Sequence, residues 1–409
     1  MKRLLYLSVD GLLEPLGFSQ VVRVIEGLAA RGWRYDVISL EKRKDLTDPV
    51  RVHAVETRLA KAHIRWTRLE WNEAGGASAA ASNLGALTST ALRRVRQGGL
   101  DALHARSYVA ATAAQAVWLA TRTPFVFDTR AYWIDERLED GKWFTTPVRL
   151  GVARGLEHQL FACAAGVVTL TELQAQDVRS GQFGPLGERP VVCIPTCADY
   201  DDFARRPLDA CLAVPADLRA RLDGTRVLGL IGSLNRSYCV DETLRLSRLV
   251  LERDATAQVL VLSGQGEAWT QAANRAGLDP RRLLIRRAHH DDMPQWLSLI
   301  DWGLLLLVPA SRAKRASMPT KLAEFFAAGV RPVQSGCNDE VSQWVRRAGS
   351  GLSLDSLDEQ TLTQAADAIV RRHASSELDL ARERTRAHFS LEHGIRRYDE
   401  LWQRVFRGA

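Results

Sequence analysis

The chain has 409 residues, 46% of them hydrophobic and 25% charged, so it is too long for one ordinary core and carries enough apolar content for two or three domains. Its formal charge is +7, but the cations are scattered and mostly arginine, with no basic block interleaved with aromatics, which argues against a nucleic-acid binder. Cys163, Cys193, Cys197, Cys211, Cys239 and Cys337 form no CxxC pair and no zinc-ligand spacing, and no stretch approaches the ~20 apolar residues of a spanning helix, so the reading is a cytosolic protein with reduced thiols.

Lys2 and Arg3 precede an apolar run that Asp10 ends too early for a signal peptide, so the segment reads as a first strand. Further strands are expected near 35–40, 101–104, 124–128, 166–170 and 190–194, with helices near 19–31, 79–97, 107–121, 146–163 and 172–180. The helix at 146–163 sets Arg149 and Arg154 among apolar positions; it reads as a helix on a sheet, and is also compatible with peripheral contact at an anionic membrane face. From Ala198 to about Thr225 the chain is polar and Pro-containing, a connection. The rhythm then restarts, with strands near 226–231, 258–263, 283–287, 303–308 and 331–334 and helices near 240–252, 267–276, 293–299, 319–328 and 339–347. Such alternation predicts an α/β architecture of two doubly wound, Rossmann-like domains, 1–205 and 206–390, facing a central cleft. A last helix over 391–409, with Tyr398, Leu401, Trp402, Val405 and Phe406 at helical spacing, is expected to return to the first domain.

Several groups in this frame have chemical potential. Gly17 follows the first strand and lets backbone amides approach a diphosphate, or serves a turn; there is neither GxGxxG nor GxxxxGK[ST], which weakens a dehydrogenase reading and removes a P-loop. His104 and Arg106, then Asp128 and Arg130, follow apolar runs and are expected at the carboxyl edge of the first sheet, either as binding and proton-transfer groups or as satisfied structural ones. Arg236, in the loop that opens at Gly232 after the strand near 226–231, is placed to grip a phosphate, or is simply solvated. The most informative stretch is Ser317–Val333. Ser317 reads as an N-cap and Pro319 as a first-turn residue, yet Lys321 puts a cation at the positive end of the helix dipole, with Glu324 at i+3. An anion held at the helix start accounts for that lysine, and hydroxyls of the same ligand suit the glutamate; a solvated surface pair is the alternative.

With those residues in view, the chain resembles the GT-B nucleotide-sugar glycosyltransferases, specifically the retaining family 4 group. The resemblance is carried by Ser317–Val333 and supported by Ser8–Gln20, Ile194–Asp199 and Ile231–Leu234. It implies transfer of a glycosyl group from a nucleoside diphosphate sugar to an acceptor hydroxyl with retention, without a metal or any cofactor beyond the donor. It also implies a donor site of Gly17, Phe18, Gly232, Arg236, Ser317, Pro319, Thr320, Lys321 and Glu324, with His104, Arg106, Asp128 and Arg130 as catalytic candidates. The acceptor is expected to be a glycan, a lipid-linked saccharide or a small molecule, the setting cytoplasmic with peripheral membrane contact as an option, and the oligomeric state open. Two departures stand out: Ala316 replaces the first of the family's two glutamates, and Ser237-Tyr238 replaces its Glu-Lys pair. They keep two alternatives in play, an inactive scaffold subunit and a nucleotide-sugar epimerase on the same fold.

Overall fold

In the computed structural model, which describes residues 2–141, 146–235, 237–308, 311–336, 338–371 and 375–407, the apolar runs become the inner strands of two parallel sheets. The chain divides into two compact units: Met1–Thr196 with Arg315–Ser317 and Leu391–Ala409, and Cys197–Lys314 with Met318–Ser390. The division therefore falls at 196/197, not 205/206.

The first unit is a seven-stranded sheet built from β1 (Arg3–Ser8), β2 (Arg34–Glu41), β3 (Arg65–Glu70), β4 (Ala102–Arg106), β5 (Phe125–Asp128), β6 (Gly166–Thr169) and β7 (Val191–Cys193). Their order is β3-β2-β1-β4-β5-β6-β7, and every pairing is parallel. Alternate residues of the central strands feed two apolar layers. Leu5, Leu7, Leu103, Ala105, Phe125 and Phe127 face α3 (Gly76–Arg96), α4 (Ser107–Thr121) and α6 (Pro147–Cys163), the helices being numbered after α1 (Arg23–Ala30) and α2 (Pro49–Lys61), with α5 (Trp133–Glu139) between α4 and α6 and α7 (Glu172–Arg179) after α6. Leu4, Tyr6, Ala102 and Val126 face α1, α2 and the C-terminal helix Leu391–Arg407, which buries Tyr398, Leu401, Trp402 and Val405 in this layer. The inner side of α6 buries Ala153, Glu157, Leu160 and Phe161, while Val148, Val152 and Leu156 face outward, 76%, 61% and 47% exposed.

The second unit is a six-stranded sheet of β8 (Val227–Ile231), β9 (Gln258–Leu262), β10 (Leu283–Arg286), β11 (Trp302–Leu305), β12 (Arg331–Ser335) and β13 (Leu352–Leu354), in the order β10-β9-β8-β11-β12-β13, again all parallel. One face packs on α8 (Val240–Arg253) and α9 (Gly266–Arg275) through Leu244, Val250, Trp269 and Ala272. On β11 a Cβ at Gly303 would lie 2.3 Å from the Phe325 ring, so the absence of a side chain there seats the helix α10 (Thr320–Ala328) against the sheet. Among the described residues no helix is long and apolar enough to cross a membrane.

Candidate active site

In a doubly wound sheet the strand order reverses at one point, and ligands collect at the carboxyl ends of the strands flanking it. In the first unit that point lies between β1 and β4. Here Asp10 follows β1, Arg106 ends β4 and Asp128 ends β5. Arg106 Nε donates to Asp10 Oδ2 at 2.7 Å, and its Nη1 stands 3.9 Å from Asp128 Oδ2 without a hydrogen-bond acceptor among the described residues. Arg130 Nη1 reaches Asp128 Oδ1 at 3.5 Å, and the phenol of Tyr398 donates to Asp128 Oδ2 at 2.7 Å. Burial opposes ionisation of Asp128, but the charges of Arg130 and Arg106 outweigh it and hold the carboxyl well below the usual carboxylate range. Two non-glycine residues at this edge, Ser107 (φ +71°) and Arg130 (φ +60°), adopt left-handed backbone, a strained conformation that concentrates at functional sites. A buried carboxylate thus stands between two guanidiniums, and with the partly exposed Asp10 paired to Arg106 the four groups form a preorganised, charge-balanced cluster.

His104 does not join that edge. β4 runs two residues beyond its expected end at 104, so the imidazole is an interior strand side chain, fully buried beside Tyr6, Tyr398 and Trp402 at ring distances of 4.2, 5.3 and 5.8 Å. Among the described residues neither ring nitrogen has a hydrogen-bond partner, Nε2 stopping 3.6 Å from Asp128. Burial holds this ring below the ordinary histidine range, against the pull of Asp128, so it is neutral at pH 7.

The loop after β1 is shorter than the sequence suggests. Helical backbone begins at Pro15, so Gly17 (φ −64°) lies inside a helical turn followed by a π-helical one, Phe18–Val22. A Cβ on Gly17 would come within 1.9 Å of the Gly11 carbonyl, so its need for glycine is close packing. The Phe18 amide is committed to the Glu14 carbonyl at 2.8 Å. Buried Glu41, at the end of β2, accepts from the amides of Leu12 and Leu13 at 2.8 and 3.2 Å and clamps the loop.

In the second unit the reversal lies between β8 and β11. Gly232, just past β8, has φ +108°, and a Cβ there would approach Lys321 Nζ to 2.7 Å. Lys321 is the second residue of α10. Its Nζ donates to Tyr238 Oη at 2.8 Å and lies 4.6 Å from the centre of that ring, with no carboxylate ion pair among the described residues. Glu324, one turn on, is partly buried, and its carboxylate has no hydrogen-bond or ion-pair partner among the described residues. Burial pushes it up to about 7, with the Lys321 charge pulling the other way. This acid costs stability when ionised: the unfolded chain loses the proton near the ordinary value, the folded chain only near 7, so stability falls as pH rises between the two. Glu324→Gln is therefore expected to raise the thermal midpoint of the unliganded protein at pH 8 and to leave it nearly unchanged at pH 4; equal shifts at both would contradict the assignment.

The start of α10 corrects the expected capping. The N-cap is Pro319, no side chain caps the helix, and Ser317 lies two residues upstream, grouped with the first unit. The Leu322 amide turns back to the Pro319 carbonyl at 3.0 Å, while those of Thr320 and Lys321 have no acceptor within the helix. Ala316 is fully buried in an apolar cluster of the first unit, where a carboxylate would be isolated in hydrocarbon. Arg236 lies outside the described residues. Asp10 and Glu41 carry the same sequence signal as Asp128, a polar residue ending an apolar strand, without standing among the expected site residues; the places of Tyr238 and Tyr398 beside Lys321 and Asp128 follow only from contact.

Residues 19–197 match the family described as glycosyl transferase 4-like domain. No curated protein matches the sequence. Among solved structures, sucrose-phosphate synthase from Thermosynechococcus elongatus aligns over 100% of both chains at 14% identity with a TM-score of 0.74. The Anabaena HepE protein in complex with UDP and glucose aligns over 98% of this chain and 100% of its own at 15% identity and 0.70. A putative UDP-N-acetylglucosamine 2-epimerase from Listeria monocytogenes aligns over 100% and 98% at 9% identity and 0.65. At these identities the likeness is one of fold.

Proposed function

We propose, from the premise that residues 19–197 are a glycosyl transferase 4-like domain in a chain of GT-B fold, that this protein transfers a glycosyl group from a nucleoside diphosphate sugar to an acceptor hydroxyl, with retention of configuration and without a metal. The observation that carries the reading is the pair at the start of α10: a half-buried ammonium whose hydrogen-bond partner is a phenol, and one turn on a carboxyl with no hydrogen-bond or ion-pair partner among the described residues. The diphosphate binds against Lys321 and the amides of Thr320 and Lys321, where helix dipole and ammonium act together. Ribose hydroxyls donate to Glu324. As the glycosidic bond breaks, charge grows on the departing diphosphate, and preorganised donors stabilise it more than they stabilise the intact donor.

The first unit serves the acceptor. Its charged edge of Asp10, Arg106, Asp128 and Arg130 orients a polar acceptor, with Asp10 as the partly exposed carboxylate that takes up a hydroxyl; buried His104 is a packing group beneath them. A glycan, a lipid-carried saccharide or a small molecule fits this role on the cytoplasmic side, the outward Val148, Val152 and Leu156 of α6 offering a surface to a lipid carrier.

The deciding experiment is a thermal-shift panel of UDP, GDP, ADP and their sugars, followed by product analysis. A ligand at one hundred times its Kd stabilises the folded state by about 2.7 kcal/mol, and one base is expected to stand out. No shift with any nucleotide would overturn the donor site; binding without transfer would favour the scaffold reading, and conversion of the nucleotide sugar without acceptor the epimerase.

A further inference from the structure

We propose that Tyr238 is a second diphosphate-binding residue, donating its phenolic proton to the same phosphate that Lys321 binds; this rests on the donor reading of α10. The Lys321 ammonium donates to Tyr238 Oη at 2.8 Å, so the phenol oxygen is already an acceptor and its O–H is left to donate. Among the described residues nothing accepts that proton. Lys321 retains two N–H donors in the same state. Donors converge here from two elements, and among the described residues no carboxylate pairs with them, an arrangement that suits a ligand rich in acceptor oxygens.

The phenol is held in place by its backbone. Tyr238 bridges Leu307 beyond β11, the Cys239 amide donates to the Leu306 carbonyl at 2.9 Å, and the Val308 amide donates to the Ser237 carbonyl at 3.1 Å. Anchored on both sides, Tyr238 is a fixed wall on which the flexible lysine stem is laid, and Gly232 leaves the room in which the two meet. The ring pins the ammonium through its face while the hydroxyl adds a donor without adding charge. The two functions separate cleanly in Tyr238→Phe, which keeps the ring and removes the oxygen.

The test is calorimetric titration of wild type and Tyr238→Phe with UDP, GDP and ADP and with the parent nucleosides. The expected result is a Kd for the bound nucleoside diphosphate about tenfold higher in the variant, the size of one hydrogen bond to a charged group, with nucleoside affinity changed less than about twofold and the thermal midpoint unmoved. Normal wild-type binding with an unaffected variant overturns this inference and leaves the donor site standing. Diphosphate and nucleoside weakened by the same factor overturns it too, since that is a structural role. Absence of diphosphate binding by the wild type overturns the donor reading and this inference with it.

Discussion

Replacing Lys321 with alanine is expected to lower transfer by about 10²–10³-fold, the effect of losing one preorganised donor at a developing oxyanion, while the protein stays folded. The structural cost is small because the ammonium's hydrogen bond goes to a phenol and, among the described residues, it makes no ion pair that would be broken. The side chains that seat α10, Leu322, Ala323, Phe325 and Phe326, are all buried and untouched. With the lysine gone, Glu324 loses the one charge that pulls its proton affinity down, so residual nucleotide binding should become more pH-dependent around neutrality. The sign follows from ligand hydroxyls favouring the ionised carboxylate: binding releases a proton, and affinity rises with pH. Initial rates with the donor identified by thermal shift, set beside circular dichroism, decide the matter; near-native turnover would remove Lys321 from the site.

Asp128→Ala carries the largest expected loss of stability. It removes the buried carboxylate that both the Arg106 and Arg130 guanidiniums lie against and orphans the Tyr398 phenol, a change that typically costs about 3–5 kcal/mol. For a unit of this size that corresponds to about 10 °C in the midpoint of its unfolding transition. Asp128→Asn keeps the shape and an acceptor for Tyr398, so it isolates the charge. Because the folded-state proton affinity of Asp128 is depressed, its contribution is complete above the ordinary Asp value near 4 and shrinks as pH falls below it. Urea unfolding of wild type and Asp128→Asn from pH 3 to pH 8 is expected to show a gap that is constant above about pH 5 and narrows toward pH 3. A gap independent of pH would mean that folding leaves the proton affinity of Asp128 unchanged, so the two guanidiniums do not favour its charge.

The inner strands were legible because both faces of a central parallel strand are buried, which turns Leu4-Leu5-Tyr6-Leu7 and Phe125-Val-Phe127 into unbroken apolar runs. The edges were not. β3 reads Arg65-Trp-Thr-Arg-Leu-Glu70, an edge strand whose charges blunt pairing with another chain and erase the apolar signal, and the short edge β13 was passed over likewise. The helices at Pro49–Lys61, Glu359–Val370 and Ser375–Phe389 also escaped the sequence reading. β4 ran two residues longer than its apolar run, which moved His104 from the sheet edge to the core.

Alone, the sequence determined the α/β alternation, the existence of two sheets and the anomalous cation at the start of α10, since these follow from local periodicity and from the sign of a helix dipole, quantities set within a few residues. Tertiary structure alone decided the partners: Tyr238 beside Lys321 across 83 residues, Tyr398 on Asp128 across 270, and Ala316 grouped with the first unit. Contacts over such separations depend on which strand lies next to which, and that order is fixed by packing across a sheet rather than by neighbours along the chain.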